Sequence, residues 1–316
     1  MEKKYELLKD DIIKVYGSIL YRIKALRNFS DVKKGDLGGY IEKEDNLSHE
    51  GNCWVYNDAK VYEDAIVYDN AKVYGDAVVH NNAIVGSNSV ITDNAEVCDN
   101  SIIIGNAHIS DFALICDNAT IDDRAVVKNS AKVFNNAVVY GNAEVCDDTK
   151  VYNNANISGK AKIYGNANVY GDATIRGDAR IYGNAKVHGN CLINDNSKIH
   201  DKAIISGDTK ICGNANIFGK AKVSGKSRLA NDAYISNNSK YITIGPIGNR
   251  ADDYTTFYLN KDKKIMVKWS QFNGTIEEFI TSISNETNKK YKNQYVNTIT
   301  YAKCILYNES ALSSIL

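Results

Sequence analysis

Proline is almost absent from the sequence: Pro246 is the single one among 316 residues. A chain with many turns and so little proline must build them from other residues, so Asn, Asp and the 22 Gly are expected at the turns. A surplus of positive charge is also missing, because Lys and Arg total 38 and Asp and Glu total 38. This balance argues against a protein that binds nucleic acid through bulk charge.

Long apolar segments are missing as well. No apolar run approaches the roughly 18 residues of a membrane-spanning helix, and the charged start Met1-Glu2-Lys3-Lys4 is not typical of a secretory signal. The seven Cys form no CxxC pair. We therefore expect free thiols in a reducing cytoplasm, with no disulfide and no membrane partner.

A six-residue repeat dominates the middle of the chain. Val or Ile recurs at every sixth position from Val55 to Ile235, and Leu229 is the one exception among 31 hexads. Four residues after each comes a small residue, most often Ala, with Asn, Asp, Gly or Lys in between. β-Branched residues suit short buried strands, whereas Gly, Asn and Asp suit turns with positive φ. Three hexads would form one 18-residue coil, with parallel strands of successive coils about 4.8 Å apart.

This repeat predicts an all-β solenoid of about ten coils over residues 53–240. The pattern resembles the hexapeptide-repeat family, and the resemblance implies a left-handed parallel β-helix. Residues 1–52 are predicted to form an N-terminal β cap, because the open end of a β-helix must be covered. Residues 241–316 break the phase and are predicted to form a small α+β C-terminal module.

Local signals predict the elements of the two end segments. Strands are expected from Tyr5 to Val15 and from Leu20 to Leu26, around a turn at Gly17-Ser18. Thr275 and Glu278 have the spacing of a capping box that opens a helix. The remaining predicted elements are three strands, Ile242 to Ile244, Thr256 to Leu259 and Ile265 to Trp269, and a second helix from Asn288 to Tyr307.

Two segments outside the repeat show further resemblances. The stretch from Asn28 to Tyr40, with Asn46-Leu47-Ser48 and the segment from Gly51 to Tyr56, resembles the N-terminal cap of YdcK-like hexapeptide-repeat proteins. Those proteins resemble acyltransferases in fold, so the resemblance implies kinship without specifying a reaction. The runs from Gly245 to Tyr258 and from Phe272 to Phe279 resemble a C-terminal module of phage and prophage proteins.

A search for catalytic chemistry predicts no active site. Acyltransferases that this fold resembles usually have a His general base at a subunit boundary and a loop that protrudes from the solenoid. No hexad is interrupted between Val55 and Ile235, so no such loop is predicted here. No acidic residue accompanies any His in a recognisable motif, so no catalytic residue, metal or cofactor is predicted. The five His are His49, His80, His108, His188 and His200.

Two sets of outward residues repeat every 18 positions. The first, here the isoleucine ladder, is an apolar surface for which we predict self-association or partner binding, with cover by the N-terminal segment or by a loop as the alternative. A homo-oligomer is expected, and the resemblance to the fold family favours a trimer. The second, here the aromatic ladder, is interpreted as structural stacking, with a ligand platform as the alternative. The isoleucine ladder is Ile66, Tyr68, Ile84, Ile102, Ile104, Val138 and Tyr140; the aromatic ladder is Tyr62, His80, Cys98, Cys116, Phe134, Tyr152, Tyr170 and His188.

One loop of the C-terminal module is predicted to bind a small anionic ligand, such as a nucleotide, because it joins Gly, Arg and hydroxyl groups. The alternative is a structural turn in which Arg250 pairs with Asp252 or Asp253. The predicted function is that of a non-catalytic phage- or prophage-type binding or scaffold protein; a transferase acting at a subunit interface and a structural virion component remain alternatives. The predicted ligand residues are Gly248, Asn249, Arg250, Asp253, Tyr254 and Thr255.

Overall fold

The computed structural model describes residues 2–247, 254–284 and 288–307. The chain divides into two compact units, Met1–Gly171 and Asp172–Leu316, and each is treated by itself. Both units are built from two-residue strands, one per hexad, that stack in parallel sheets. The predicted all-β solenoid fold is therefore confirmed. Neither helix in the described part of the chain is long and apolar enough to cross a membrane.

The first unit contains three parallel sheets, in which paired residues lie 18 positions apart, as Ile91 and Ile109 do. The second residue of each short strand is fully buried, which is the predicted phase of the repeat. The strands of the first sheet are Trp54–Val55, Lys72–Val73, Val90–Ile91, His108–Ile109, Val126–Val127, Glu144–Val145 and Lys162–Ile163. Those of the second sheet are Lys60–Val61, Val78–Val79, Glu96–Val97, Leu114–Ile115, Lys132–Val133, Lys150–Val151 and Asn168–Val169. Those of the third sheet are Ile66–Val67, Ile84–Val85, Ile102–Ile103, Thr120–Ile121, Val138–Val139 and Asn156–Ile157.

The second unit repeats this arrangement with fewer strands. Its pairings also join residues 18 positions apart, as for Ile181 and Ile199. Its strands are, in one sheet, Arg180–Ile181, Lys198–Ile199, Asn216–Ile217 and Tyr234–Ile235; in another, Lys186–Val187, Ile204–Ile205 and Lys222–Val223; and in the last, Thr174–Ile175, Leu192–Ile193, Lys210–Ile211 and Arg228–Leu229.

The turns are closed by the polar residues that the repeat places there. Two positions after the buried residue, Asp, Asn or Gly adopts positive φ, as at Asp111 with φ 61°. Asp and Asn also accept a hydrogen bond from the backbone one coil further along: Asn129 N–H donates to Asp111 Oδ2 at 2.9 Å. Next to them, Asn side chains stack, with Asn82 Nδ2 donating to Asn100 Oδ1 at 3.0 Å. These bonds satisfy groups that a tight turn would otherwise leave unpaired.

The N-terminal segment begins with an antiparallel hairpin of Tyr5–Val15 and Ser18–Ala25, as predicted. Strand Leu37–Ile41 then pairs with the hairpin on one edge and with Lys60–Val61 on the other. Ile41 lies opposite Val61, a separation of 20 residues instead of 18. Parallel pairing therefore begins before the first hexad, inside the segment predicted as the cap, and the predicted domain limits stay predictions. A short 3-10 helix, Glu44–Asn46, follows.

The C-terminal module pairs a four-stranded antiparallel sheet with two helices. The sheet contains Tyr241–Ile244, Thr255–Leu259, Ile265–Trp269 and Phe272–Thr275, the last of which was not predicted, and the 3-10 helix Asn238–Lys240 precedes it. The helices are Ile276–Ser284 and Lys289–Tyr307. The capping box is confirmed, because Thr275 N–H donates to Glu278 Oε2 at 2.8 Å and Glu278 N–H donates to Thr275 Oγ1 at 3.2 Å. Phe257, Phe279 and Tyr295 lie in the core of this module.

Candidate functional site

The isoleucine ladder lies on the third sheet of the first unit. Ile66, Ile84 and Ile102 stand directly opposite one another in successive strands. The exposed fraction of Ile66 is 42%, and Tyr140 is exposed as well. The other members, Tyr68, Ile84, Ile102, Ile104 and Val138, are partly buried. Ile66 stays exposed although Leu47 of the N-terminal segment pairs with the neighbouring Val67.

The aromatic ladder forms stacked rings, as predicted for a structural ladder. Tyr62 and His80 stack with ring centroids 5.1 Å apart. Phe134, Tyr152 and Tyr170 continue the series, with successive centroids 4.9 and 4.8 Å apart. The hairpin covers the beginning of this ladder: Tyr62 is only 2% exposed and forms a small core with Leu20 and Tyr40. The last member, His188, belongs to the second unit.

Two cysteines interrupt the stacked rings. The sulfur atoms of Cys98 and Cys116, one coil apart, lie within 4.8 Å of each other, and both residues are free cysteines. The neighbouring Cys116 thiol and burial raise the pKa of Cys98, and the neighbouring Cys98 thiol lowers the pKa of Cys116. Asp99 Oδ2 lies 3.9 Å from Cys98 Sγ.

Three His side chains, those of His49, His80 and His200, lie beside a carboxylate, which the search for sequence motifs did not indicate. His80 Nε2 is 3.0 Å from Glu96 Oε1, and His200 Nδ1 is 3.2 Å from Asp201 Oδ1. The partner of His80 comes 16 residues later, on the strand of the next coil, so no local motif contains the pair. A spacing of 16 within an 18-residue repeat places the two residues on neighbouring coils but does not by itself show that their side chains meet.

A buried polar cluster fixes the start of the chain. Lys4 is fully buried, and its Nζ donates to Cys53 O at 2.9 Å and lies 3.2 Å from Cys53 Sγ. Burial lowers the pKa of Lys4 and raises the pKa of Cys53. The Tyr5 hydroxyl donates to Leu47 O at 2.7 Å. These contacts attach the first strand to the residues that precede the first hexad, which is a structural role.

The predicted ligand loop is only partly within the described residues. Tyr254 lies beneath Lys226, whose Nζ is 4.9 Å from the ring centroid. Thr255 is fully buried in a strand, and its hydroxyl has no hydrogen-bond partner among the residues that the structure describes. The ligand site therefore stays a prediction. The members that lie outside the described residues are Gly248, Asn249, Arg250 and Asp253.

A polar groove of about 530 Å³ in the second unit was not predicted. Arg180 and Lys198 stand opposite each other in neighbouring strands, and Lys261 reaches the same groove from the C-terminal module. Asp178 and Asp232 also line it, so its charge is mixed. Cations arranged in this way can pair with phosphate or carboxylate groups. The groove joins residues more than 80 positions apart, which a local motif search does not detect.

Comparison with known proteins gives a short match. No family model matches the chain. A segment of 39 residues is 46% identical to a protein of Escherichia coli (strain K12) named "Uncharacterized acetyltransferase YdcK". The match covers 12% of this chain and 12% of that protein. Together with the fold, it fits a solenoid protein of the hexapeptide-repeat type. Nothing in these comparisons supports the resemblance of the C-terminal module to phage proteins.

Proposed function

We propose that this protein is a non-catalytic β-solenoid scaffold that associates with further copies of itself through the isoleucine ladder. The observation that carries the proposal is the uncharged row of Ile66, Ile84 and Ile102, continued by Thr120 and Val138, on the third sheet. Exposed apolar rows of this kind are typical of interfaces.

The other two sheets of the first unit favour solvent. Lys132 and Lys150 stand opposite each other on the second sheet, and both are exposed. Glu144 on the first sheet lies between Lys128 and Lys162, which form ion pairs with it. Burying such groups in an interface would cost desolvation energy, whereas burying each outward Ile contributes about 1–2 kcal/mol.

A second copy is the proposed occupant because it presents the same row at the same spacing. Strands about 4.8 Å apart in both copies allow the Ile side chains of the two rows to contact each other level by level along the whole row. Three copies with parallel axes would close such contacts in a ring, which agrees with the trimer that the fold resemblance favours.

The test is a charge on the ladder with a matched control. We expect the wild type to be a trimer in sedimentation velocity and native mass spectrometry. Ile84→Lys is expected to be a monomer in the same measurements. Val126→Lys is the control, because Val126 is a partly buried outward residue of the first sheet. Both variants should keep the circular dichroism spectrum of the wild type, which shows that they are folded. A monomeric wild type, or an intact trimer of Ile84→Lys, would refute the proposal.

Acyl transfer is a second candidate, favoured by one geometry in the second unit. His200 Nδ1 lies 3.2 Å from Asp201, and its Nε2 lies 2.9 Å from Asn216, which lines the polar groove. A carboxylate that orients an imidazole is what a general base requires. Arg180 and Lys198 would pair with the phosphates of an acyl-CoA donor.

Release of free coenzyme A from acetyl-CoA tests the transferase. Wild-type turnover that is lost in His200→Asn but kept in His108→Asn would support it. Absence of turnover with amine and hydroxyl acceptors would remove this candidate.

Binding of a nucleotide-like anion by the C-terminal module, a phage origin, a virion role and a cytoplasmic location stay separate predictions. Calorimetric titration with nucleotides tests the first of them. Detection of the chain in purified particles tests the virion role.

A further inference from the structure

The point where two cysteines replace the rings of the aromatic ladder brings several metal-ligand groups together. Cys98 and Cys116 follow the paired strands Glu96–Val97 and Leu114–Ile115, so their side chains leave the same edge of neighbouring coils. Both cysteines are free, so their sulfur atoms are open to a further ligand. Asp99, at a turn position with φ 57°, directs its carboxylate toward Cys98, with Oδ2 3.9 Å from Sγ.

The distances suit one metal ion. The ligand atoms of Cys98, Asp99 and Cys116 all lie within 4.8 Å of one another. Two thiolates bound to one tetrahedral Zn²⁺, each at about 2.3 Å, are roughly 3.8 Å apart. Side chains from strands about 4.8 Å apart need only a small convergence to reach that separation.

We propose that Cys98, Cys116 and Asp99 form a binding site for a divalent ion of the zinc class. Thiolates select such ions over Mg²⁺ and Ca²⁺, which prefer oxygen ligands alone. Three protein ligands leave one tetrahedral position for an exchangeable ligand. This site is independent of the proposed self-association, because it lies at an edge of the second sheet and not on the isoleucine ladder.

The surroundings favour a cation at this place. Besides Asp99, the carboxylate of Glu96 has an oxygen within 4.8 Å of the Cys98 sulfur. Cys98 is 7% exposed and Cys116 is partly buried, so the site is shielded from water on one side and accessible on the other. A negative potential in a partly desolvated position attracts a cation more strongly than the same charges in water.

A second set of ligand-type side chains, which includes one from the preceding coil, lies beside the proposed site. His80, Glu96 and Cys98 form a second set whose ligand atoms lie within 4.8 Å of one another. The stacked Tyr62 ring holds the His80 ring nearly parallel, at 9°, and His80 Nε2 is paired with Glu96 Oε1 at 3.0 Å. His80 is therefore held beside the metal position by its contacts with Tyr62 and Glu96. We assign it a position next to the site and do not count it among the metal ligands.

The experiment uses the full chain, purified under reducing conditions with a chelator and then titrated with Zn²⁺ or Co²⁺. One ion per chain is expected in native mass spectrometry. Bound Co²⁺ should give a thiolate charge-transfer band, which roughly halves in Cys98→Ser or Cys116→Ser while the affinity falls at least tenfold. Asp99→Asn should weaken binding and leave the two-thiolate band. Cys146→Ser is the matched control, since Cys146 is an outward cysteine of the same unit that belongs to neither ligand set.

Three outcomes would overturn the proposal. The first is that no ion binds at a stoichiometry of one per chain to the reduced wild type. The second is that Cys98→Ser and Cys116→Ser bind Zn²⁺ as tightly as Cys146→Ser does. The third is that Cys98 and Cys116 form a disulfide and that the chain still does not bind the metal after this disulfide is reduced. Circular dichroism of each variant shows whether it is folded, and His80→Gln should keep both the stoichiometry and the two-thiolate band.

Discussion

At the turn positions of the solenoid, Asp and Asn stabilise the fold in two ways. The backbone there has positive φ, which costs most L-residues about 1–2 kcal/mol and costs Asp and Asn less. The side chain also receives a hydrogen bond from the next coil, as Asp111 does from Asn129 N–H and from Asn129 Nδ2 at 3.1 Å. Gly meets the first requirement and cannot meet the second, so Asp and Asn are suited to coils where the next N–H needs a partner.

Substitutions at Asp111 separate these two contributions. Asp111→Gly loses the acceptor and keeps the φ, so we expect a loss of about 0.5–1 kcal/mol in the free energy of unfolding. Asp111→Ala loses the acceptor and adds the backbone cost, for about 1–2 kcal/mol. Asp111→Asn keeps both features and should stay close to the wild type. Urea denaturation measures the order, and an Ala variant as stable as the Asn variant would contradict this account.

The positions of the buried and small residues could be predicted from the sequence, because each depends only on its place in the hexad. Val151 and Ala155 are fully buried as their phase requires. The pairing of His80 with Glu96 could not be predicted in this way, because it depends on which outward side chains of different coils converge. The same holds for the approach of Asp99 to two thiols, since an outward position alone does not indicate its neighbours.

At the scale of elements, one carboxylate attaches the N-terminal segment to the solenoid. Asp31 accepts hydrogen bonds from the Tyr56 hydroxyl at 2.9 Å and from Lys72 Nζ at 2.7 Å. The bond from Lys72, followed by that from Tyr56, lowers the pKa of Asp31 from 3.8 to about 2. Tyr56 itself stacks on Tyr74, with ring centroids 4.1 Å apart. The Asp31 carboxylate therefore bonds to a ring that a second ring holds in place.

This contact predicts a defined pH dependence. Because the pKa of Asp31 is lower in the folded state, the unfolded chain binds more protons between about pH 2 and pH 3.8, and stability falls as the pH falls through that window. The wild type should therefore be more stable than Asp31→Asn at neutral pH, and the difference should shrink below pH 3.8 and vanish near pH 2. Denaturant unfolding at several pH values measures it. Asp148→Asn, at an exposed turn, is the control, and a difference independent of pH would disprove the assignment.

The end segments show where element prediction succeeds and where it does not. Turn residues at Gly17-Ser18 and the Thr275–Glu278 capping box are local signals, and the elements that they bound are observed. Strand Phe272–Thr275 was missed because it is four residues long and contains Gly274. The packing of the hairpin on Tyr62 also has no local signal, since it depends on the shape of two surfaces in contact.

At the scale of the whole fold, the solenoid units have a nearly one-dimensional pattern of contacts. In the middle of the first unit, the described strands pair with the strands 18 residues before and after them, as Lys150–Val151 pairs with Lys132–Val133 and Asn168–Val169. Stability in such a pattern is a sum over coils and the interfaces between them. A defect in one coil therefore weakens its two interfaces first and spreads outward from them.

Val151→Asp tests this coupling. Val151 is fully buried, so the substitution places a carboxylate without partners inside the coil, at a cost of several kcal/mol. We expect a clearly lower melting temperature and a loss of hydrogen-exchange protection centred on the strands of Val133, Val151 and Val169. Lys150→Asp introduces the same charge at the exposed neighbouring position and should leave both measurements close to the wild type. If protection instead fell evenly over the whole first unit, its coils would unfold as one cooperative body, and the assumption of neighbour-only coupling would be wrong.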